Sequence, residues 1–325
     1  MTLPKVVANP QYEESAAILS GVTRRPPVAI SLRVTKLSTV YVSDLNGVKV
    51  VVKVYKNAKN AATEAASITS IKPHPCIVKF YGTLTFDDAP YLIYEYLDGQ
   101  TLVHAPFSPD QETQLIRAIQ YIHSHGVAHM DIKPSNVMCV NNTIKIIDFG
   151  MSHRVASPMP IHPNGTRSFI SPDLLVLTIL EKMWKYYAKY VKVIPWSSLT
   201  KAIKMGRAYL LEKMIRGFLL SIPRIVSRNS LHFIKFTRLY RDTCHRSCVV
   251  SWIRDSHPSE SDYESFVGFI RTYDARKADI YSLHRTLEVV CKHASVIPPI
   301  CRDRMGHGDH TLRPSIDWIA SLLNR

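Results

Sequence analysis

Two short polar segments carry residue types that suit the transfer of a phosphoryl group. Residues 129–136 read His-Met-Asp-Ile-Lys-Pro-Ser-Asn, and residues 148–150 read Asp-Phe-Gly directly after the apolar residues 144–147. Phosphoryl transfer needs a base near the attacking hydroxyl, positive charge near the phosphates and oxygen ligands for Mg²⁺. The two segments together contain all of these groups.

Each polar residue of the two segments has a chemical interpretation. Asp131 could orient and deprotonate a hydroxyl group, and Lys133 could lie against the γ-phosphate of ATP. Asn136 and Asp148 could hold Mg²⁺ through their side-chain oxygens. Either segment alone is weak evidence, because Asp-Phe-Gly also forms turns after buried strands and His-x-Asp occurs in exposed loops. Their order and spacing together favour one shared site.

The two segments resemble the catalytic loop and the metal-binding motif of eukaryotic protein kinases. The resemblance covers residues 28–173 and 276–325. It implies an α+β fold with two lobes, in which an antiparallel N-lobe sheet with one helix lies over a mainly helical C-lobe. It also implies a serine/threonine protein kinase that uses ATP and Mg²⁺ and takes a protein with a serine or threonine acceptor as substrate.

The family's lysine for the nucleotide falls on Lys53. Residues 48–55 are β-branched with alternating character, which predicts a strand after a turn at residues 44–47. A helix predicted from about residue 60 to residue 71 carries one acid, Glu64. The resemblance implies that Glu64 pairs with Lys53 and holds its ammonium against the α- and β-phosphates. Taken without the downstream motifs, Lys53 is better explained as an edge lysine that keeps a sheet soluble.

The loop that should cover the phosphates departs from the family pattern. Its three glycines would fall on Arg33, Thr35 and Ser38. We assign Thr35, Ser38 and the nearby Val40 to the nucleotide site. Glycine lets backbone N–H groups approach phosphate closely, so this loop must be stiffer or lie further from the nucleotide. Thr35 and Ser38 could still offer hydroxyls and amides. The departure leaves open a pseudokinase that acts as a scaffold or binding module.

The segment after the N-lobe resembles a strand that runs into the hinge between the lobes. Tyr94 would lie at the back of the adenine pocket, and the backbone from Glu95 to Leu97 would bind the adenine edge. Apolar residues at helical spacing then predict a helix over residues 108–125, with Gly126 after its end. This helix should support the catalytic loop.

Residues 165–173 resemble the end of a kinase activation loop. Thr166 would face Asp131, and this threonine together with Lys133 favours serine or threonine as the acceptor. Near the C-terminus, Arg313 matches the arginine that pairs with the acid at the end of this segment, here Asp173. Such a pair would hold the segment against the C-lobe.

Three further positions follow from the resemblance. Asp279 would accept hydrogen bonds from backbone N–H groups of the catalytic loop. His284 stands where the family usually has glycine, so the packing there must differ. Met130 stands where many kinases have an arginine that receives the activation-loop phosphate. An uncharged thioether cannot bind a phosphate dianion, so we expect no need for loop phosphorylation.

A large insert separates the end of the activation loop from Asp279, at about residues 176–274. Residues 181–254 contain sixteen lysines and arginines against three acids, which accounts for most of the chain's formal charge of +15. One interpretation is a helical subdomain with a solvated basic face. The other is a surface for an anionic partner such as an acidic protein, a nucleic acid or a phospholipid surface.

The composition agrees with an intracellular protein, cytoplasmic or nuclear, with two lobes. We predict an extension at residues 1–27, an N-lobe at residues 28–97 and a C-lobe at residues 98–325. The sequence shows no apolar stretch long enough for a transmembrane helix, and its six cysteines lack a disulfide-like framework. The departures from the family pattern favour a fast-diverging lineage such as a large DNA virus. The oligomeric state does not follow from the sequence.

Overall fold

A computed structural model describes most of the chain outside the insert. The described residues are 3–35, 37–156, 166, 168–171, 174, 273–307 and 310–324. The predicted insert therefore lies almost entirely outside the described residues, as do Asp173 and Ser157. Among the described residues, no helix is long and apolar enough to cross a lipid bilayer.

A six-stranded antiparallel sheet forms the N-terminal part of the fold. Its spatial order is β1-β5-β6-β4-β3-β2. The strands are β1 (Lys5–Ala8), β2 (Ile30–Val34), β3 (Ser38–Leu45), β4 (Val48–Tyr55), β5 (Phe80–Phe86) and β6 (Ala89–Glu95). The predicted turn joins β3 to β4, with Asn46 and Gly47 both at positive φ, as a tight hairpin turn requires. The predicted α+β fold with an antiparallel N-lobe sheet is confirmed.

The prediction that the sheet begins after residue 27 is wrong. Strand β1 lies within the first 27 residues and pairs with β5, with Ala8 opposite Gly82. Helix α1 (Glu14–Leu19) follows, and its residues Ile18 and Leu19 are buried in a hydrophobic cluster with Val50 and Val52 of β4. A strand of four residues has too few positions for a clear alternating pattern, so its pairing depends on the distant β5.

Helix α2 (Ala58–Thr69) packs against strands β4, β5 and β6 of the sheet. It begins after Asn57, whose side chain accepts a hydrogen bond from Lys59 N, and it starts and ends about two residues before the predicted bounds. Its buried positions recur at helical spacing and include Glu64. The helix therefore places one acid inside the fold.

Helix α3 (Pro109–Ser124) is the first long helix of the C-terminal part. Ser108 and Gln111 form a reciprocal capping box at its start, and Gly126 follows its end. The short strand β7 (Gln100–Thr101) precedes α3, and four short strands follow it: β8 (Val127–Ala128), β9 (Val137–Val140), β10 (Thr143–Ile146) and β11 (His153–Arg154). The remaining helices are α4 (Arg276–Val290), α5 (Pro299–Met305) and α6 (Ile316–Ser321).

A fully buried carboxylate joins α3 to the segment after α4. Glu112 accepts hydrogen bonds from Ser295 Oγ and from Val296 N at 3.2 Å, and His293 Nε2 lies 3.2 Å from it. Glu112, Cys291 and His293 are close enough together to hold a metal ion. Because protein donors already satisfy the carboxylate, we interpret the cluster as a structural link.

His284, which stands where the family usually has glycine, lies against Gly306. A Cβ atom at Gly306 would lie 2.5 Å from His284 Nε2, which is closer than any real Cβ contact. The missing side chain at Gly306, just after α5, therefore makes room for the imidazole on α4. The bulk of His284 is accommodated by a small residue elsewhere in the chain.

Candidate active site

Lys53 is the centre of a buried group of charged side chains. It projects from β4 toward α2, where its Nζ lies 2.8 Å from Glu64 Oε2. The same nitrogen lies 2.6 Å from Asp148 Oδ1. Lys53 and Glu64 are both buried, with 8% and 1% of their side chains exposed. The structure thus brings together three predicted site residues from three separate parts of the sequence.

The electrostatics of this group keep Lys53 and Asp148 charged. Burial acts to lower the pKa of the Lys53 ammonium, but Glu64 and Asp148 outweigh burial and raise that pKa above its usual value. Burial acts to raise the pKa of Asp148, but the Lys53 ammonium outweighs it and lowers that pKa to about 2. Asp148 is therefore a carboxylate at neutral pH, as a metal ligand must be.

Two tyrosines that the sequence did not connect with Glu64 hold its carboxylate. Tyr94 OH donates to Glu64 Oε1 at 2.7 Å, and Tyr55 OH donates to Glu64 Oε2. Tyr55 lies two residues after Lys53 on the same strand, so the two side chains share one face of the sheet. The spacing of two residues could therefore have indicated from the sequence that Tyr55 lies beside Lys53. With three donors, the Glu64 carboxylate has a defined orientation toward Lys53.

Gly150 allows the Asp-Phe-Gly segment to approach this group closely. A Cβ atom there would lie 2.6 Å from Tyr55 OH and 2.9 Å from Lys53 Nζ. Asp148 itself has positive φ, and its side chain accepts a hydrogen bond from Gly150 N. The backbone of the segment therefore turns so that the Asp148 carboxylate faces Lys53.

Asp131 is the centre of a second polar group on the neighbouring loop. Its Oδ2 accepts hydrogen bonds from Lys133 Nζ at 2.5 Å and from Asn136 Nδ2 at 3.0 Å. Its Oδ1 accepts from Thr166 N at 3.1 Å and from the Thr166 hydroxyl at 2.7 Å. Lys133 Nζ also donates to Thr166 Oγ1 at 2.6 Å. The predicted contact of Thr166 with Asp131 is confirmed.

Helix α4 binds the backbone of the loop at residues 129–136 through Asp279. Asp279 is fully buried, and its two oxygens accept hydrogen bonds from His129 N and Met130 N, both at 2.7 Å. The ring of His123 lies 2.9 Å from the same carboxylate. The predicted role of Asp279 as an acceptor for this backbone is confirmed.

The two loops with candidate metal ligands are tied together by their backbones. Ile147 N donates to Asn136 O at 2.9 Å, and His129 Nε2 lies 3.1 Å from Ile147 O. Asn136 uses its side-chain nitrogen to bind Asp131, so its side-chain oxygen is the atom that could bind a cation. Asn136 and Asp148 together offer the hard oxygen ligands that Mg²⁺ prefers.

Met130 lies in an apolar environment. It has positive φ and is 6% exposed, and it belongs to a small cluster with Leu174, Tyr273 and Ala278. An arginine at this position would have to place its charge among apolar side chains or turn away from them. The uncharged side chain thus fits its surroundings.

The loop between β2 and β3 uses its polar groups within itself. Thr35 Oγ1 accepts hydrogen bonds from Leu37 N at 3.2 Å and from Ser38 N at 2.9 Å. Thr35 N donates to Ser38 O at 2.9 Å. The predicted phosphate contacts of Thr35 and Ser38 would require these bonds to open. Val40, two residues later, lies opposite Lys53 in the sheet.

The predicted hinge follows β6 and is anchored through Glu95. Its carboxylate binds Lys145 Nζ at 2.6 Å and accepts from Lys79 N at 2.7 Å, and its own N–H donates to Lys79 O. Leu97 packs against the main core. The hinge backbone is thereby held beside the site, and its contact with adenine stays a prediction.

Arg313 is buried in the C-terminal part, with 1% of the residue exposed. Its guanidinium donates to Lys277 O at 2.9 Å and to His307 O at 2.8 Å. Its predicted partner, Asp173, lies outside the described residues. The pair between them stays a prediction.

Comparisons with known proteins match this chain to protein kinases. The family model described as protein kinase domain matches residues 35–197. The serine/threonine-protein kinase PknB of Mycobacterium leprae is 31% identical over 137 residues, which cover 37% of this chain and 21% of that protein. The probable serine/threonine-protein kinase PknB of Lactococcus lactis is 28% identical over 169 residues, which cover 48% of this chain and 27% of that protein.

A third relative is similar over a shorter stretch. The serine/threonine-protein kinase PrkC of Bacillus subtilis is 32% identical over 123 residues, which cover 34% of this chain and 19% of that protein. The matched part of this chain thus spans about a fifth to a quarter of the length of these curated relatives.

Proposed function

Because this chain belongs to the protein kinase family, we propose that it transfers the γ-phosphoryl group of ATP to serine or threonine hydroxyls of proteins. The observation that carries the proposal is the presence of two polar groups on neighbouring loops, which a hydrogen bond from Ile147 N to Asn136 O joins. Lys53, Glu64 and Asp148 form one group, and the side chains around Asp131 form the other. The names of the relatives, all serine/threonine kinases, support the choice of acceptor.

Asp131 is the proposed catalytic base. Its Oδ1 already accepts a hydrogen bond from the Thr166 hydroxyl, the same interaction that orients an acceptor hydroxyl for attack. Lys133 lies 2.5 Å from Asp131 Oδ2 and would neutralise charge on the transferred phosphoryl group. The threonine beside the base fits an acceptor with a short side chain.

Lys53 is the proposed ligand of the nucleotide's α- and β-phosphates, and Glu64 would orient its ammonium toward them. Asn136 and Asp148 would hold Mg²⁺, since both offer hard oxygens and Asp148 is ionised at neutral pH. Bound Mg²⁺ would neutralise the phosphates and align them for transfer. Adenine would lie against Val40 and the backbone from Glu95 to Leu97.

A pseudokinase that acts as a scaffold through its basic insert is the second candidate function. The observation that favours it is the loop between β2 and β3, in which the N–H groups of Leu37 and Ser38 donate to Thr35 Oγ1. Amides that are used in this way are not free to bind phosphate. The complete set of charged residues at the cleft favours the catalytic function over this alternative.

Transfer of radiolabel from [γ-³²P]ATP to a basic protein substrate separates the two functions. We expect transfer by the wild type, on serine and threonine, and a loss of about 10²–10⁴-fold in kcat for Asp131→Asn, because the amide cannot accept the proton. Asp110→Asn is the matched control, since Asp110 is an exposed residue in the first turn of α3.

Two results would contradict the catalytic proposal. One is wild-type protein that binds ATP but transfers no phosphate. The other is equal transfer by wild type and Asp131→Asn, which would trace the radiolabel to a contaminating kinase.

Removal of phosphate from the protein should leave most of its activity. Met130 cannot bind an activation-loop phosphate, and Glu64 is already oriented toward Lys53 by two tyrosine hydroxyls. Among the loop candidates, Ser152 is buried and its hydroxyl donates to Phe149 O at 2.6 Å, so it is a poor site for modification. The measurement is kcat toward histone or myelin basic protein before and after phosphatase treatment.

A tenfold or greater loss of activity on dephosphorylation, restored by rephosphorylation, would show that another cation receives the phosphate. Mass spectrometry would then identify the modified residue. Ser157 lies outside the described residues and is the position to inspect first.

A further inference from the structure

The loop between β2 and β3 lacks the glycines of the family pattern, and two of its backbone amides form hydrogen bonds within the loop. Its glycine positions carry Arg33, Thr35 and Ser38. The N–H groups of Leu37 and Ser38 donate to Thr35 Oγ1 instead of pointing into the cleft. If phosphate is bound at this side of the cleft, its charge must be met by a side chain.

The register of the sheet places Arg33 on the cleft face. Arg33 lies opposite Val40 in β3, and Val40 lies opposite Lys53 in β4. Residues that lie directly opposite one another on neighbouring strands project from the same face of a sheet. The side chain of Arg33 therefore leaves the sheet on the same side as Lys53, two strands away.

A β-bulge decides this orientation. The register between β2 and β3 shifts between Ser31 and Arg33, so that Leu32 is the extra residue. Without the shift, Arg33 would lie opposite Thr39, and its side chain would project from the other face of the sheet. Bulges are known to redirect side chains near active sites. The bulge here turns a cation toward the cleft.

The side chain of Arg33 reaches Asp148, the candidate metal ligand. Its Nη1 lies 3.5 Å from Asp148 Oδ2, while Lys53 Nζ lies 2.6 Å from Asp148 Oδ1. Both oxygens of the candidate metal ligand are thus next to a cation. The side chain of Arg33 is 55% exposed, so its contact with Asp148 contributes little to stability and can exchange for another anion.

We propose that Arg33 is a nucleotide-binding residue that moves from Asp148 to the phosphates of ATP when Mg²⁺ and nucleotide enter. A guanidinium matches phosphate geometry and can donate two parallel hydrogen bonds to it. Arg33 thereby takes the place of the loop amides, and its departure leaves Asp148 Oδ2 for Mg²⁺. This inference rests on the proposed function, because it requires that the cleft bind ATP.

Calorimetric titration of the full chain with Mg–ATP and with adenosine tests the proposal. Arg33→Gln should bind Mg–ATP about tenfold or more weakly than the wild type, whereas adenosine, which has no phosphate, should bind equally to both. Arg33→Lys should lie between them, because it keeps the charge but not the planar fork. Arg25→Gln is the matched control, since Arg25 is exposed and pairs with Asp87.

The outcomes are distinct. Equal Mg–ATP affinity of wild type and Arg33→Gln would overturn this proposal alone, and the proposed function would stand. Tighter binding by Arg33→Gln would also overturn it, because the arginine would then obstruct the site. A wild-type chain that binds adenosine but not Mg–ATP would overturn the proposed function together with this inference.

Discussion

Lys53→Met and Asp148→Ala are each expected to lower the rate of phosphoryl transfer by about 10²–10³-fold or more while the fold is kept. Lys53 is the cation that contacts both Glu64 and Asp148, and Asp148 is the carboxylate that would bind Mg²⁺. The loss of one such electrostatic contact to the transition state costs about 3–4 kcal/mol, or about 10²–10³-fold in rate. The measurement is kcat/KM with radiolabelled ATP, together with circular dichroism to follow the fold.

The matched control for Lys53→Met is Lys49→Met. Lys49 lies on the same strand but is exposed, with its ammonium 3.8 Å from the ring centre of Tyr96. We expect Lys49→Met to keep the activity of the wild type. Full activity in Lys53→Met or in Asp148→Ala would remove the assignment of that residue to the nucleotide site.

Asp279→Ala is expected to give the largest loss of stability among single substitutions in the C-terminal part. The carboxylate is fully buried, and it accepts hydrogen bonds from His129 N and Met130 N and lies beside the His123 ring. Its removal would leave buried donors without partners. Each such donor costs about 1–3 kcal/mol, so the free energy of unfolding should fall by about 3–5 kcal/mol.

Urea unfolding of Asp279→Ala and of the control Asp317→Ala measures the effect. Asp317 lies at the start of α6, and its side chain accepts an exposed hydrogen bond from Gln120. The substitution Asp317→Ala should therefore lower the free energy of unfolding by about 0.5 kcal/mol or less. Because Asp279 also positions the backbone next to Asp131, the rate of phosphoryl transfer should fall in the folded fraction of the variant. Equal midpoints for the two variants would show that Asp279 does not support the catalytic loop.

The sequence predicted the local elements near the site well. The turn before β4 was visible in Asp-Leu-Asn-Gly, and α3 was visible in its apolar spacing and in Ser108 at its start. These features are local, because the residues that define each element lie within a few positions of one another. For the same reason α2 was predicted to within about two residues at each end.

The sequence predicted less where distant segments pair. Strand β1 was missed because its four residues acquire a structure only by pairing with β5, more than seventy residues away. Tyr94 was expected at the back of the adenine pocket, but the sequence did not indicate that its hydroxyl donates to Glu64 on another element at 2.7 Å. Contacts of this kind depend on how the sheet and α2 pack, and no local pattern records that packing.

By itself the sequence determined which residue types the candidate site contains: a lysine, two aspartates and an asparagine in the order and spacing of the protein kinase family. Only the tertiary structure decided which groups meet. It joined Lys53, Glu64 and Asp148 across three elements, and a single extra residue in β2 set the face on which Arg33 lies. The physical reason is that residue type sets charge and hydrogen-bonding capacity locally, whereas strand register and packing, which span the whole chain, set the distances between those groups.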